Sequence, residues 1–157
     1  MSSTLQNPEK LKVVCLVDNS EAALNALAFY IQQFHKPQNE IYIFHAIIPN
    51  ITNTRSLESD KVIHIIAENQ AKISNLEYEI DKIIMTSHCQ VKIIKKLEPC
   101  EDKDKIGKIA FNYVKEIGAD MIVSGTRNLT GLKKVMNTSV SEYLLKHATC
   151  PVFIHKS

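Results

Sequence analysis

The chain has 157 residues, 45% of them hydrophobic and 23% charged, with a formal net charge of +2. That length and balance suit one globular domain with its own core, and so small a charge gives no basis for binding nucleic acid or an anionic membrane. The four cysteines form no C-x-x-C pair, which argues against a zinc site or a disulfide framework; no intrinsic metal is expected.

Residues 1–10 are polar, lack a hydrophobic signal core and read as a mobile N-terminal tail before a single domain over 11–157. No apolar stretch approaches the length of a membrane span, so a cytoplasmic setting is the default expectation. Lys12 to Val17 is a continuous apolar run, the pattern of a central parallel strand covered on both faces. Cys15 within it reads as a small buried apolar residue. The run ends in Asp18-Asn19-Ser20, where Ser20 is a good N-cap and Glu21 suits a first helical turn. Ala23, Leu24, Leu27, Tyr30, Ile31 and Phe34 then recur at helical spacing, and Pro37 ends that helix.

Glu40 to Ile48 reads as the second strand, followed by a polar loop over 51–56. From about Glu58 to Ser87, the residues Val62, Ile66, Ile73, Leu76, Ile80 and Ile83 share one face of a long amphipathic helix. Gln90 to Leu97 is the third strand, and its lysines point to a sheet edge. Asp102, Asp104 and Gly107 resemble a calcium loop only faintly. Ile106 and Tyr113 stand where ligands are needed, so the stretch reads as a solvated charge cluster. Lys105 to Ile117 is a helix with Ile106, Ile109, Ala110, Tyr113, Val114 and Ile117 apolar, and Gly118 is its C′ stop. Ala119 to Ser124 is the fourth strand, a polar loop follows from Gly125, and the last helix runs to Ala148. Cys150 to His155 closes the chain as the fifth strand. Strands and helices that alternate in this way predict an α/β fold, a five-stranded parallel sheet with helices on both faces.

In such a sheet a ligand lies beyond the carboxyl ends of the strands, where strand order reverses. Two strand exits stand out as the most polar. One is Asp18, whose carboxylate either binds nearby backbone N–H groups at the turn or accepts a hydrogen bond from a ligand hydroxyl. The other is the loop after Ser124. Its far end carries Ser139 and Glu142 in the S-x-x-E spacing of a capping box. That pair either caps its own helix alone or also presents a helix N-terminus suited to phosphate. His45 reads as a satisfied, partly buried histidine. No G-x-x-x-x-G-K-[ST] loop occurs, nor G-x-G-x-x-G after the first strand. A phosphoacceptor receiver domain would need an Asp closing the third strand, which ends instead in Leu97-Glu98-Pro99.

The stretch from Gly125 to Ser139 resembles the C-terminal signature of the universal stress protein family: Gly, two residues, Gly, nine residues, Gly, then Ser or Thr. Gly125 and Ser139 match its ends, while Asn128 and Thr138 replace the inner glycines. The flanks Ser124-Gly-Thr-Arg127, Thr138-Ser-Val-Ser-Glu-Tyr143 and Cys150-Pro-Val-Phe-Ile154 are similar to the family, and the resemblance covers nearly the whole chain. It implies a doubly wound, Rossmann-like sheet of order 3-2-1-4-5, with the switch point between strands one and four. It implies ATP or AMP as ligand. Asp18 would contact the adenosine, Leu16 and Val17 would line the base pocket, and the backbone of Ala46 would meet the adenine. The phosphate side would be Gly125, Arg127, Asn128, Ser139, Val140 and Ser141. Asn128 suits a positive φ next best to glycine. Thr138 places a β-branched side chain where phosphate oxygens approach backbone, to clash or to donate a hydrogen bond. A homodimer through the C-terminal strand is also implied. Two functions follow: a stress-response or regulatory module that binds an adenine nucleotide, or a nucleotide-free dimeric interaction protein.

Overall fold

The computed structural model describes residues 10–47, 59–88, 90–100, 103–126 and 140–156. The chain alternates β1 (Lys12–Leu16), α1 (Glu21–Gln33), β2 (Glu40–Ile47), α2 (Ser59–Ser87), β3 (Lys92–Pro99), α3 (Ile106–Ile117), β4 (Met121–Thr126), α4 (Val140–His147) and β5 (Val152–Lys156). A 3-10 turn, Lys103–Lys105, leads into α3. The five strands form one sheet in the order β3-β2-β1-β4-β5, with every neighbouring pair parallel.

Alternate strand residues feed two separate cores, as a sheet of period two requires. Val13, Cys15, Val17, Ile41, Ile43 and Val123 pack with Ala26, Leu27, Tyr30 and Ile31 of α1 and with Leu76 and Ile80 of α2. Val14, Phe44 and Ile122 pack on the other face with Ala110, Tyr113 and Val114 of α3 and Leu144 of α4. Helices therefore cover both faces. Burial pushes the Cys15 thiol pKa well up, so it serves as an inert apolar filler.

The helix ends follow from local chemistry. Ser20 Oγ accepts the Ala23 N–H at 3.2 Å, the N-cap expected of it. Gly118 sits at φ +62°, and its N–H turns back to the last carbonyls of α3. Phe34 departs from expectation. It follows the last residue of α1 and is 53% exposed, packed edge-on against Phe153 and near Phe29. Ala22 and Ala26 complete the buried face of α1 instead.

β3 lies at the sheet edge, as its lysines suggested. It runs two residues further than expected, through Glu98 and Pro99. Cys100 N–H donates to Ile47 O, so the even-numbered N–H groups of β3 face β2. The donor that Pro99 lacks would have faced the open edge, where a proline is tolerated. β4 also begins and ends two residues later than the apolar run predicted, and takes in Gly125 and Thr126. Residues 1–9 of the tail expected over 1–10, the loop over 51–56, and Asp102 lie outside the described residues, while Lys10 is described and pairs with Glu40.

Candidate functional site

β1 and β4 are adjacent, and their onward connections leave in opposite directions, β1 towards β2 and β4 towards β5. This is the switch point, and a cavity of about 350 Å³ opens there, within the size range of small-molecule pockets. Leu16, Phe44, Ala46 and Ile106 form an apolar wall, while Asp18, Ser20, Ser124, Thr126 and Ser141 supply polar groups. Val17, Gly125 and Val140 complete the rim with Ala23. Among the described lining residues, Asp18 is the only ionisable side chain.

Of the residues singled out in the sequence, Leu16, Val17, Asp18, Ala46, Gly125, Val140 and Ser141 meet around this cavity. Arg127, Asn128, Thr138 and Ser139 lie outside the described residues. Phe44, Ile106, Ser20, Ser124 and Thr126 are additions. Ser20 carried a signal as an N-cap, and Phe44 as the same-face neighbour of Ala46. Ile106 had none, because only the return of α3 over the sheet brings it to the cavity.

Each element places its residue for a physical reason. Asp18 Oδ1 accepts the Ser20 N–H at 2.8 Å, so the carboxylate braces the turn into α1. One oxygen thus serves the turn, and a carboxylate retains further acceptor capacity. Gly125 belongs to β4 and pairs with His155 of β5; it is not the first residue of a loop. A Cβ there would lie 2.2 Å from Ala22 O and 2.9 Å from Ala23 N. The glycine admits the first turn of α1 against β4, and that contact closes the α1 side of the cavity.

On the other side, Ser124 Oγ and Ser141 Oγ lie 3.0 Å apart in a buried hydrogen bond. It ties β4 to the first turn of α4, the end at which backbone N–H groups lack intrahelical partners. His45 is buried, and its Nδ1 lies 2.8 Å from Val17 O, which fits the satisfied histidine read from the sequence. Among the described residues, no three His, Cys, Asp or Glu side chains gather as a metal site, and no helix is long and apolar enough to cross a membrane.

This is a doubly wound parallel α/β domain with its crevice at the topological switch point. The sequence model described as the universal stress protein family matches residues 11–156, and the chain belongs to that family. It is 27% identical over 146 residues to universal stress protein YxiE of Bacillus subtilis, covering 91% of this chain and 97% of the relative. Its fold is similar to that of a universal stress protein family protein from Arabidopsis thaliana solved with AMP bound. There the TM-score is 0.65 at 20% identity, over 93% of this chain and 91% of the other. It is also similar to a universal stress protein solved in complex with cAMP, with TM-score 0.61 at 15% identity, over 92% and 95% of the two chains.

Proposed function

We propose that the chain binds an adenine nucleotide, ATP or AMP, in the cavity between β1 and β4, and acts as a stress-response or regulatory module. One observation carries this reading: apolar Leu16, Phe44, Ala46 and Ile106 line one cavity together with the Asp18 carboxylate and with Val140 and Ser141 at the start of α4. The apolar residues suit a planar base, Asp18 suits a ribose hydroxyl, and the first turn of α4 with Val140 and Ser141 suits phosphate oxygens. Two relatives of the same fold are solved with AMP or cAMP. Arg127, Asn128, Thr138 and Ser139 would complete the phosphate side. Asp18 is the one titratable group among the described lining residues, and the proposal is of binding alone.

Calorimetry with AMP tests it. Asp18→Ala should weaken binding about tenfold, the loss of one charge-assisted hydrogen bond. Asp18→Asn should weaken it too but keep the acceptor for Ser20 N–H, and so the melting temperature. Unchanged affinity in both variants would leave Asp18 as a turn residue only.

A second reading, a dimeric interaction protein without nucleotide, draws on the β5 edge. β5 ends the sheet and pairs on one side with β4. Phe29 and Phe153 stack there with centroids 6.0 Å apart, and His155 lies 4.9 Å from Phe29. Among the described residues, His155 Nδ1 is buried without a hydrogen-bond partner. An edge with no further strand beside it among the described residues, flanked by exposed aromatics, suits a second copy of the chain. A homodimer through β5 is compatible with either reading.

A further inference from the structure

The ladder between β1 and β2 stops one rung short at the cavity. Glu40 N–H donates to Leu11 O at 2.9 Å, and Val17 N–H donates to Phe44 O at 3.0 Å. In a parallel ladder the N–H and C=O of one residue face the same neighbour. Even-numbered residues of β2 therefore face β1, and the register of Glu40 on Leu11 would carry Ala46 N–H to Val17 O. Among the described residues that bond is not made. Val17 O is met by His45 Nδ1 at 2.8 Å instead. A carbonyl only accepts, so Nδ1 is the protonated nitrogen and donates. His45 has the parity of Ile41 and Ile43, which pack towards α1 and α2. The ring therefore reaches Val17 O from that side, and Ala46 lines the cavity on the other.

We infer that His45 is a positioning residue: its imidazole takes the carbonyl that would close the ladder, and so leaves Ala46 N–H as a donor for the bound ligand. The chemistry that donor selects is an acceptor atom in the rim of a planar heterocycle, held edge-on at the strand ends while its faces meet Leu16, Phe44 and Ile106. A strand end offers this donor rigidly, because the other even-numbered N–H groups of β2 are held by β1. The inference rests on the nucleotide reading for the identity of the ligand, but the release of Ala46 N–H stands apart from it.

Two measurements separate these parts. The first needs no ligand. Amide hydrogen exchange in the free wild-type protein should show Ala46 exchanging much faster than Phe44. In His45→Leu the vacated Val17 O should accept Ala46 N–H, and its exchange should slow. The second is AMP affinity. His45→Leu should lose about tenfold, one hydrogen bond's worth. His45→Asn, whose side-chain amide can reach where Nδ1 stood, should restore affinity to within about twofold on the same scale. His45→Gln should behave like His45→Leu. An Ala46 amide as protected as Phe44 in the wild type overturns the inference, whether or not the variants fold. So does unchanged Ala46 exchange in a folded His45→Leu, or AMP affinity that follows melting temperature across the three variants. If the wild type binds no adenine nucleotide, the proposed function falls, and amide exchange alone decides the role of His45.

Discussion

A Cβ added at position 125 would meet the Ala22 carbonyl at 2.2 Å. The obstacle is backbone, which cannot swing aside as a flexible side chain can. Gly125→Ala should therefore cost about 3 kcal/mol, the upper part of the usual overpacking range. Urea unfolding gives the number, and a loss near zero would mean that α1 slides away from β4 freely. Glu40 is a second residue whose environment fixes its behaviour. Its buried carboxylate is held by Lys10, by Lys92 Nζ at 2.7 Å and by the Tyr42 hydroxyl at 2.8 Å. These donors lower its pKa from 4.5 to about 2. A carboxylate with a lowered folded-state pKa binds fewer protons folded than unfolded, so its stabilisation is full above the unfolded value. It is then lost as pH falls from about 4.5 to about 2. Glu40→Gln should be less stable than the wild type at pH 7, with the gap closing across that window. Parallel stability–pH curves would show that the cluster contributes nothing.

At the scale of elements, β4 and α4 are joined by the Ser124–Ser141 hydrogen bond beside the packing of Ile122 with Leu144. Ser124→Ala would strand a buried Ser141 hydroxyl, at a cost of about 1–2 kcal/mol. Replacing both serines by alanine removes donor and acceptor together, so the double variant should lose less than the sum of the singles. The coupling in such a cycle should be about 1 kcal/mol. Additive losses would show that the two hydroxyls act independently. The same join holds Ser141 at the cavity. Ser141, expected as a phosphate ligand, thus has its hydroxyl committed to β4 in the free protein, and its backbone N–H remains the group suited to a phosphate. Edge strands β3 and β5 are managed differently. β3 carries Lys92, Lys95 and Lys96, charges that discourage pairing, whereas β5 presents apolar Phe153 beside Phe29 of α1.

For the whole molecule, that asymmetry predicts assembly through one edge. The chain should sediment as a dimer at micromolar concentration. Truncation after Pro151 should abolish it. Phe34→Glu, at a position 53% exposed, should spare the fold and weaken the dimer roughly tenfold or more, as loss of an aromatic anchor does. A monomer at every concentration would overturn the prediction, and a dimer indifferent to Phe34→Glu would place the interface elsewhere.

Periodicity and end signals in the sequence determined the strands and main helices among the described residues and most of their buried faces, though Ile66, expected on the apolar face of α2, is 56% exposed. The apolar run before Asp18 marked a strand buried on both sides, Ser20 and Gly118 marked helix ends, and the lysines of β3 marked an edge. Each is a local property, set by side-chain spacing or by one residue's backbone preference. The sequence also brought Asp18, Ala46, Gly125 and Ser141 to one site, through a resemblance in the order and spacing of motif residues. Contacts between distant segments were decided only by tertiary structure. Gly125 looked like a loop glycine, but α1 packs so close to β4 that the strand itself requires it. Phe34 had helical spacing, yet it falls past the end of α1 and faces β5. Ile106 reached the cavity because α3 crosses back over the sheet. His45 took Val17 O because β1 and β2 meet in one particular register. Spacing along a chain cannot encode these, because each depends on which surfaces face one another once both cores have closed.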